Sequence, residues 1–146
     1  MIVYADSSVL TSAYLPDEGA QHARSMKLLQ DPEIAVITGT WGRIEVTGAL
    51  VRAARASRGD QTMLLNLWNA DSSPNGPVTI LSVPQQEVEE QAMEIVVAHG
   101  IRAMDAWHLA CASLLLPELA GDEEPAFASR DKEQAKVARA RGFTLV

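Results

Sequence analysis

An α/β fold is what this sequence predicts: a central, mainly parallel five-stranded sheet with helices on both faces, a three-layer sandwich. Three observations carry that expectation. Short, mostly apolar segments alternate with longer segments of helical spacing from one end to the other. The short segments lack strict in–out alternation, which suits strands buried on both faces. The 146 residues contain no internal repeat, low-complexity tract or linker, so they are expected to form one domain, 1–146.

Each element has its own signals. Residues 2–5 are an apolar strand that ends at Asp6. Residues 7–14 can form a short helix before Pro16, and 18–29 place Ala20, Ala23, Met26 and Leu29 at helical spacing. Residues 34–37 are short and rich in β-branched side chains, hence a second strand. Thr38 or Thr40 is the expected cap of a long helix reaching about residue 57, with Gly59 as its stop. Asp60 caps a further helix through Trp68, and the Ser, Pro, Asn and Gly of 71–77 make a loop. A strand follows at 78–82, then a helix at 85–98 closed by Gly100. Residues 103–116 are a strongly apolar helix expected to end at Pro117, before an acidic loop at 119–125. A strand at 126–129, a helix at 132–141 stopped by Gly142, and a strand at 143–146 complete the chain.

Composition narrows the function. The hydrophobic fraction of 47% belongs to a packed globular protein. No apolar run approaches the roughly 20 residues that span a bilayer, and the N-terminus carries no signal-peptide pattern. The single cysteine, Cys111, cannot form an internal disulfide and reads as a small core residue. Together these features lead us to expect a cytoplasmic protein. The net charge of −7 weighs against nucleic-acid binding when taken alone. The cations, however, gather in two zones, Arg43, Arg52, Arg55 and Arg58, and Arg130, Lys132, Lys136, Arg139 and Arg141, which could flank an acidic cleft.

The chemistry lies in isolated acids set among apolar residues. Asp6 and Asp131 follow strands, at the carboxyl ends where open α/β sheets place functional groups. Asp105 opens the most apolar helix. Glu45 lies in a largely apolar helix, on one stripe with Trp41, Gly48 and Arg52, and Gly48 would leave room beside the carboxylate. Each acid also fits a plainer role, Asp6, Asp105 and Asp131 as helix caps and Glu45 as an ion-pair partner of Arg52. If the four converge they require a cation, because carboxylates about 4 Å apart repel by several kcal/mol. Oxygen ligands without His or Cys suit Mg²⁺ or Mn²⁺, and such ions serve phosphodiester chemistry. The three histidines, His22, His99 and His108, lack metal-ligand spacing. His108, one turn after Asp105, is read as a surface or core-edge residue. Trp41, Trp68 and Trp107 read as core or interface residues.

At these positions the chain resembles a known family. The opening Ile2-Val3-Tyr4-Ala5-Asp6-Ser7-Ser8, the acidic helix around Arg43-Ile44-Glu45, the segment Met104-Asp105-Ala106-Trp107-His108-Leu109-Ala110 and the run Phe127-Ala128-Ser129-Arg130-Asp131 look, in order, like the motifs of PIN-domain nucleases. Among these, the likeness is to the VapC toxins of type II toxin–antitoxin modules. Arg130 departs from the pattern, standing where the family often has a small residue. The resemblance implies a PIN-like sandwich and a Mg²⁺- or Mn²⁺-dependent endoribonuclease cutting a structured RNA (tRNA, rRNA or mRNA). It implies Asp6, Glu45, Asp105 and Asp131 as catalytic and metal-binding acids, with Ser7 and Ser129 as nearby hydroxyls; Arg52, on the Glu45 stripe, is a further accessory candidate. It further implies a homodimer restrained by a cognate VapB-like antitoxin. The alternative is a non-catalytic PIN-like module that binds RNA or protein. A receiver or aspartyl-phosphate hydrolase is disfavoured, because no second acid adjoins Asp6.

Overall fold

The β-branched and apolar residues near the N-terminus form β1 (Ile2–Ala5), the central strand of the computed structural model, which describes residues 1–146. It lies between β2 (Ala35–Gly39) and β4 (Ala126–Ala128). β3 (Val78–Leu81) pairs outside β2, and β5 (Thr144–Leu145) outside β4. The order is β3-β2-β1-β4-β5 and every pairing is parallel. Val3 stands opposite both Val36 and Ala126, so β1 is fully paired. The chain builds outward from β1 through β2 to β3, then returns to the other side of β1 for β4 and β5. The crevice above the carboxyl ends of β1 and β4 is therefore the topological switch point, where sheets of this class bind ligands.

Strand side chains alternate between the two faces and seed two cores. Val3, Ala5, Val36, Val78, Ala126 and Ala128 face one way. They meet Leu10, Leu50 and Trp68 from α1 (Ser7–Ser12), α3 (Thr40–Arg55) and α4 (Gln61–Asp71). α2 (Ala20–Gln30) packs Met26, Leu28 and Leu29 at the margin of this layer. Tyr4, Ile37 and Phe127 face the other way, toward Ile95, Leu109, Leu116 and Val137. Those residues belong to α5 (Gln85–His99), α6 (Ala103–Leu119) and α7 (Lys132–Ala140). Tyr4 stacks on Phe127 with ring centroids 5.6 Å apart and planes at 4°. Cys111 is buried in this second core, as expected. No helix is long and apolar enough to cross a membrane.

Several boundaries differ from expectation, each for a physical reason. α6 runs through Pro117 to Leu119. Proline removes one backbone donor, but Ala120 N–H still closes the last turn on Leu116 O at 2.8 Å, and Leu116 and Ala120 are buried. α2 starts at Ala20, because Gly19 adopts φ +58° and separates it from a 3-10 turn at Pro16–Glu18. Neither Thr38 nor Thr40 caps α3. β2 extends to Gly39, which occupies the cap position without a side chain, and Thr38 is buried in the strand. α3 is stopped by Ser57 at φ +60° instead of Gly59, and α4 continues past Trp68 to Asp71. Asp60 does cap α4, accepting from Met63 N–H at 2.8 Å, and Gly100 and Gly142 end their helices at positive φ.

Candidate active site

Each acid is positioned by the element that carries it. Asp6 terminates β1 and caps α1. Its Oδ1 accepts from Val9 N–H at 3.1 Å and from the Ser8 hydroxyl at 2.6 Å, and its Oδ2 lies 2.9 Å from the Ser129 hydroxyl. It is 3% exposed. Burial pushes its carboxyl pKa up, against the lowering effect of the Ser8 hydrogen bond, the His108 charge, and the bonds from Val9 and Ser129. Asp131 caps α7, its Oδ1 accepting from Glu133 and Gln134 N–H, both at 2.9 Å. The cap readings thus hold for Asp6 and Asp131 while both still face the cleft. Asp105 does not cap α6. It sits in the first turn, where its charge favours the helix N-terminus. Glu45 projects from α3, and its Oε1 is 2.5 Å from His108 Nε2.

Asp6, Glu45, Asp105 and Asp131 line one cleft of about 630 Å³ at the switch point, together with Ser7, Ser8, Arg102 and Arg130. Arg102 spans its outer side. It donates from Nε to Asp105 Oδ2 at 2.9 Å and from Nη2 to Asp131 Oδ2 at 3.0 Å. The Asp105 hydrogen bond, with the charges of Asp105 and Asp131, raises the guanidinium pKa further. Arg130 is tied to Glu18 and also borders an adjoining hollow containing Glu45, Gly48 and Arg52.

Other sequence readings need correction. Arg52 forms no ion pair with Glu45. A Cβ on Gly48 would lie 3.1 Å from Arg52 Nη1, so the space beside Gly48 is taken up by Arg52. Ser7 borders the cleft but makes no side-chain hydrogen bond; Ser8 holds Asp6 and receives Arg130 N–H at 3.1 Å. Ser129 contacts Asp6 as a nearby hydroxyl should, and its Oγ accepts from Asp131 N–H at 3.0 Å. His108 is neither at the surface nor at the core edge. It is 2% exposed and bonded to a site acid. Gln134, fully buried, joins Ser129 at 2.7 Å and donates to the Asp105 carbonyl at 3.1 Å. The i+3 spacings Arg102–Asp105 and Asp131–Gln134 were the available signals for these two partners.

The donor set has the chemistry of a Mg²⁺ or Mn²⁺ site: carboxylate and hydroxyl oxygens, with no cysteine, along an open cleft. No three acidic or metal-ligating side chains stand close enough together to enclose an ion. The side chains that would have to draw in are Asp105 and Asp131, now held by Arg102, and Glu45; Asp6 is fixed. What the arrangement can do is receive a cation or a cationic side chain, as Arg102 already does.

No protein-family model matches the sequence, and no curated protein matches it. Among solved structures, the fold is similar to that of a chain in a toxin–antitoxin complex from Klebsiella pneumoniae, with a TM-score of 0.54 at 16% identity over 92% of each chain. At that identity the likeness extends to the fold, and it covers nearly the full length of both: the chain has the three-layer α/β architecture, with an all-parallel five-stranded sheet, that its sequence predicts.

Proposed function

We propose that the protein is a Mg²⁺- or Mn²⁺-dependent endoribonuclease of the PIN type, acting as the toxin of a toxin–antitoxin module. One observation carries the reading: four acids far apart in sequence line a single cleft at the switch point of the sheet. Four carboxylates in one cleft are unfavourable without a cation, and hard oxygen donors select these ions. A bound ion supplies Lewis-acid polarisation of the phosphoryl oxygen and a more acidic water.

The chain's own residues do the rest. Asp6, held by Ser8, Val9 and Ser129, is the rigid base of the site. Asp105 on α6, Asp131 at the cap of α7 and Glu45 on α3 line the same cleft and would draw in around an ion. Arg102 and Arg130 line the cleft and could turn to a phosphodiester once released from Asp105, Asp131 and Glu18. The partner side of the proposal has its own support. Trp41, Ile44, Met63 and Leu67 on α3 and α4 are exposed large apolar residues beside the Glu45 helix, a surface for an antitoxin segment or a second copy of the chain. Arg102 also illustrates how a guanidinium engages Asp105 and Asp131 at once, and an arginine of a VapB-like antitoxin would inhibit in the same way.

The test is cleavage of total RNA by the purified protein with Mg²⁺ or Mn²⁺. Cleavage should vanish with EDTA and fall by about 10²-fold or more in Asp105→Asn. A folded wild-type protein that cuts no RNA with either metal sinks the nuclease reading. Binding of RNA without cleavage would instead favour a PIN-like binding module, which the Arg102 bridge across two of the acids also suits. For the toxin role, expression alone should arrest growth, and co-expression of a neighbouring gene product should relieve it.

A further inference from the structure

Behind Glu45 a buried polar array runs from the core to the cleft. Gly39 N–H donates to the Tyr4 hydroxyl at 3.1 Å, the Tyr4 oxygen lies 2.9 Å from His108 Nδ1, and His108 Nε2 lies 2.5 Å from Glu45 Oε1. Tyr4 is fully buried and His108 nearly so, while Glu45 faces the cleft. We propose that Tyr4 and His108 are positioning residues that fix the orientation of Glu45, with the histidine held as its Nε2–H tautomer.

Proton counting sets the direction. The Tyr4 oxygen accepts the Gly39 N–H and has one proton to give. The other hydroxyl nearby, Thr38 Oγ1, makes no hydrogen bond of good geometry, and the Cys111 thiol beside the ring is only a weak acceptor, so that proton goes to His108 Nδ1. With Nδ1 acting as acceptor, a neutral ring must carry its hydrogen on Nε2, where it points at Glu45. One lone pair of one carboxylate oxygen is then engaged. The Glu45 side chain as a whole is 29% exposed and lines the cleft.

The surroundings leave the array little freedom. Trp107 packs edge-on against His108, with centroids 5.3 Å apart at 82°, and Tyr4 does so at 5.8 Å and 66°. A Cβ on Gly39 would lie 2.5 Å from the Trp107 ring. One on Gly42 would lie 2.6 Å from Thr38 Oγ1 and 3.4 Å from His108 Cε1. Both glycines let the start of α3 come close enough to α6 for Glu45 to reach the ring. The array thus joins the two helix layers at the carboxyl end of β1 and β2, where Glu45 must be aimed.

The proposal rests on the nuclease reading only for the purpose of Glu45; the geometry itself is measured separately. The first measurement is the ¹⁵N–¹H spectrum of the histidine rings in the full-length protein. His108 should show a protonated Nε2 and a bare Nδ1, and Tyr4→Phe should weaken that pattern. A proton on Nδ1 in the wild-type protein overturns the proposal. The second is Mn²⁺ titration followed by the EPR signal of the free ion. Tyr4→Phe and His108→Leu should weaken Mn²⁺ binding about 10- to 100-fold, the range for residues that orient metal ligands, and lower kcat more than they change KM. His108→Gln, which keeps a donor near the Nε2 position, should recover part of the loss. Folded variants that bind Mn²⁺ as tightly as wild type, where Glu45→Gln binds it less tightly, overturn the proposal. If wild-type protein binds no Mn²⁺, the metal-dependent nuclease reading fails, and the tautomer spectrum alone decides whether Tyr4 and His108 orient Glu45.

Discussion

Ser129 has one hydroxyl proton and two acceptors, Asp6 Oδ2 at 2.9 Å and Gln134 Oε1 at 2.7 Å, while Asp131 N–H already donates to it. If Asp6 is ionised, one of those acceptors goes without a proton. If Asp6 carries the proton it can donate to Ser129, and Ser129 can donate to Gln134. That count agrees with the raised pKa of Asp6, which follows from its burial. Asp6→Asn places a permanent donor there and keeps an oxygen for Ser8 and Val9. The variant should lose metal-dependent cleavage yet be more stable than wild type at neutral pH in the absence of metal. The gain should be about 1 kcal/mol, the scale of an incompletely satisfied buried polar group. The sign with pH follows from proton binding. A carboxyl whose folded pKa is raised binds more protons folded than unfolded, so its penalty appears as pH rises from the ordinary carboxylate range through the raised value. Urea melts at pH 7.5 and 4.5 should therefore show the advantage of Asp6→Asn shrinking at the lower pH. An equal difference at both would remove the burial argument. That the four acids line one cleft was legible from sequence, because Asp6 and Asp131 follow apolar strands and Glu45 and Asp105 lie in apolar helices. His108 was not: a histidine on an apolar helix fits a surface or core-edge position equally well, and its partners Tyr4 and Glu45 lie 104 and 63 residues away. Gln134 was hidden for a similar reason, since its helix shows many polar side chains and only the fold decides which one turns inward.

Elements were legible where a local signal dominated and shifted where packing overrode it. Asp60, Gly100 and Gly142 act as their residue types dictate. Pro117 does not end α6, because burial of Leu116 and Ala120 outweighs one missing backbone bond. The entry to α3 is the clearest case of tertiary control. A threonine cap was expected, but Gly39 stands at that position beneath Trp107, at φ −82°, where any residue is conformationally allowed. Its role is therefore steric. Gly39→Ala should destabilise the fold by about 1–3 kcal/mol, as overpacking does, and displace the indole. A lower urea midpoint with an altered near-UV signal from Trp107 would agree. A variant with unchanged midpoint and spectrum would mean that the close approach of α3 and α6 is not required.

At the scale of the whole molecule, the parallel order was readable from the alternation of elements, but the order of strands in space was not. That order places β4, near the end of the chain, beside β1. β1 pairs with β4 across more than 120 residues: Ala5 lies opposite Ala128, and Asp6 N–H donates to Ala128 O at 3.1 Å. β1, β2 and β3 can associate early in synthesis, with α1, α3 and α4 on one face, whereas the cleft lacks the wall formed by Arg130 and Asp131 until those residues have emerged. A ribosome making this chain would thus carry a partly folded and catalytically silent product for most of translation. Stalled nascent chains exposing residues only through 119 should cut no RNA even with Mn²⁺, and chains released with all 146 should do so. Such an order of assembly spares the translating ribosome and its own message from an enzyme whose proposed substrate is RNA, and it leaves an interval in which an inhibitor can meet the exposed apolar helices before the cleft closes.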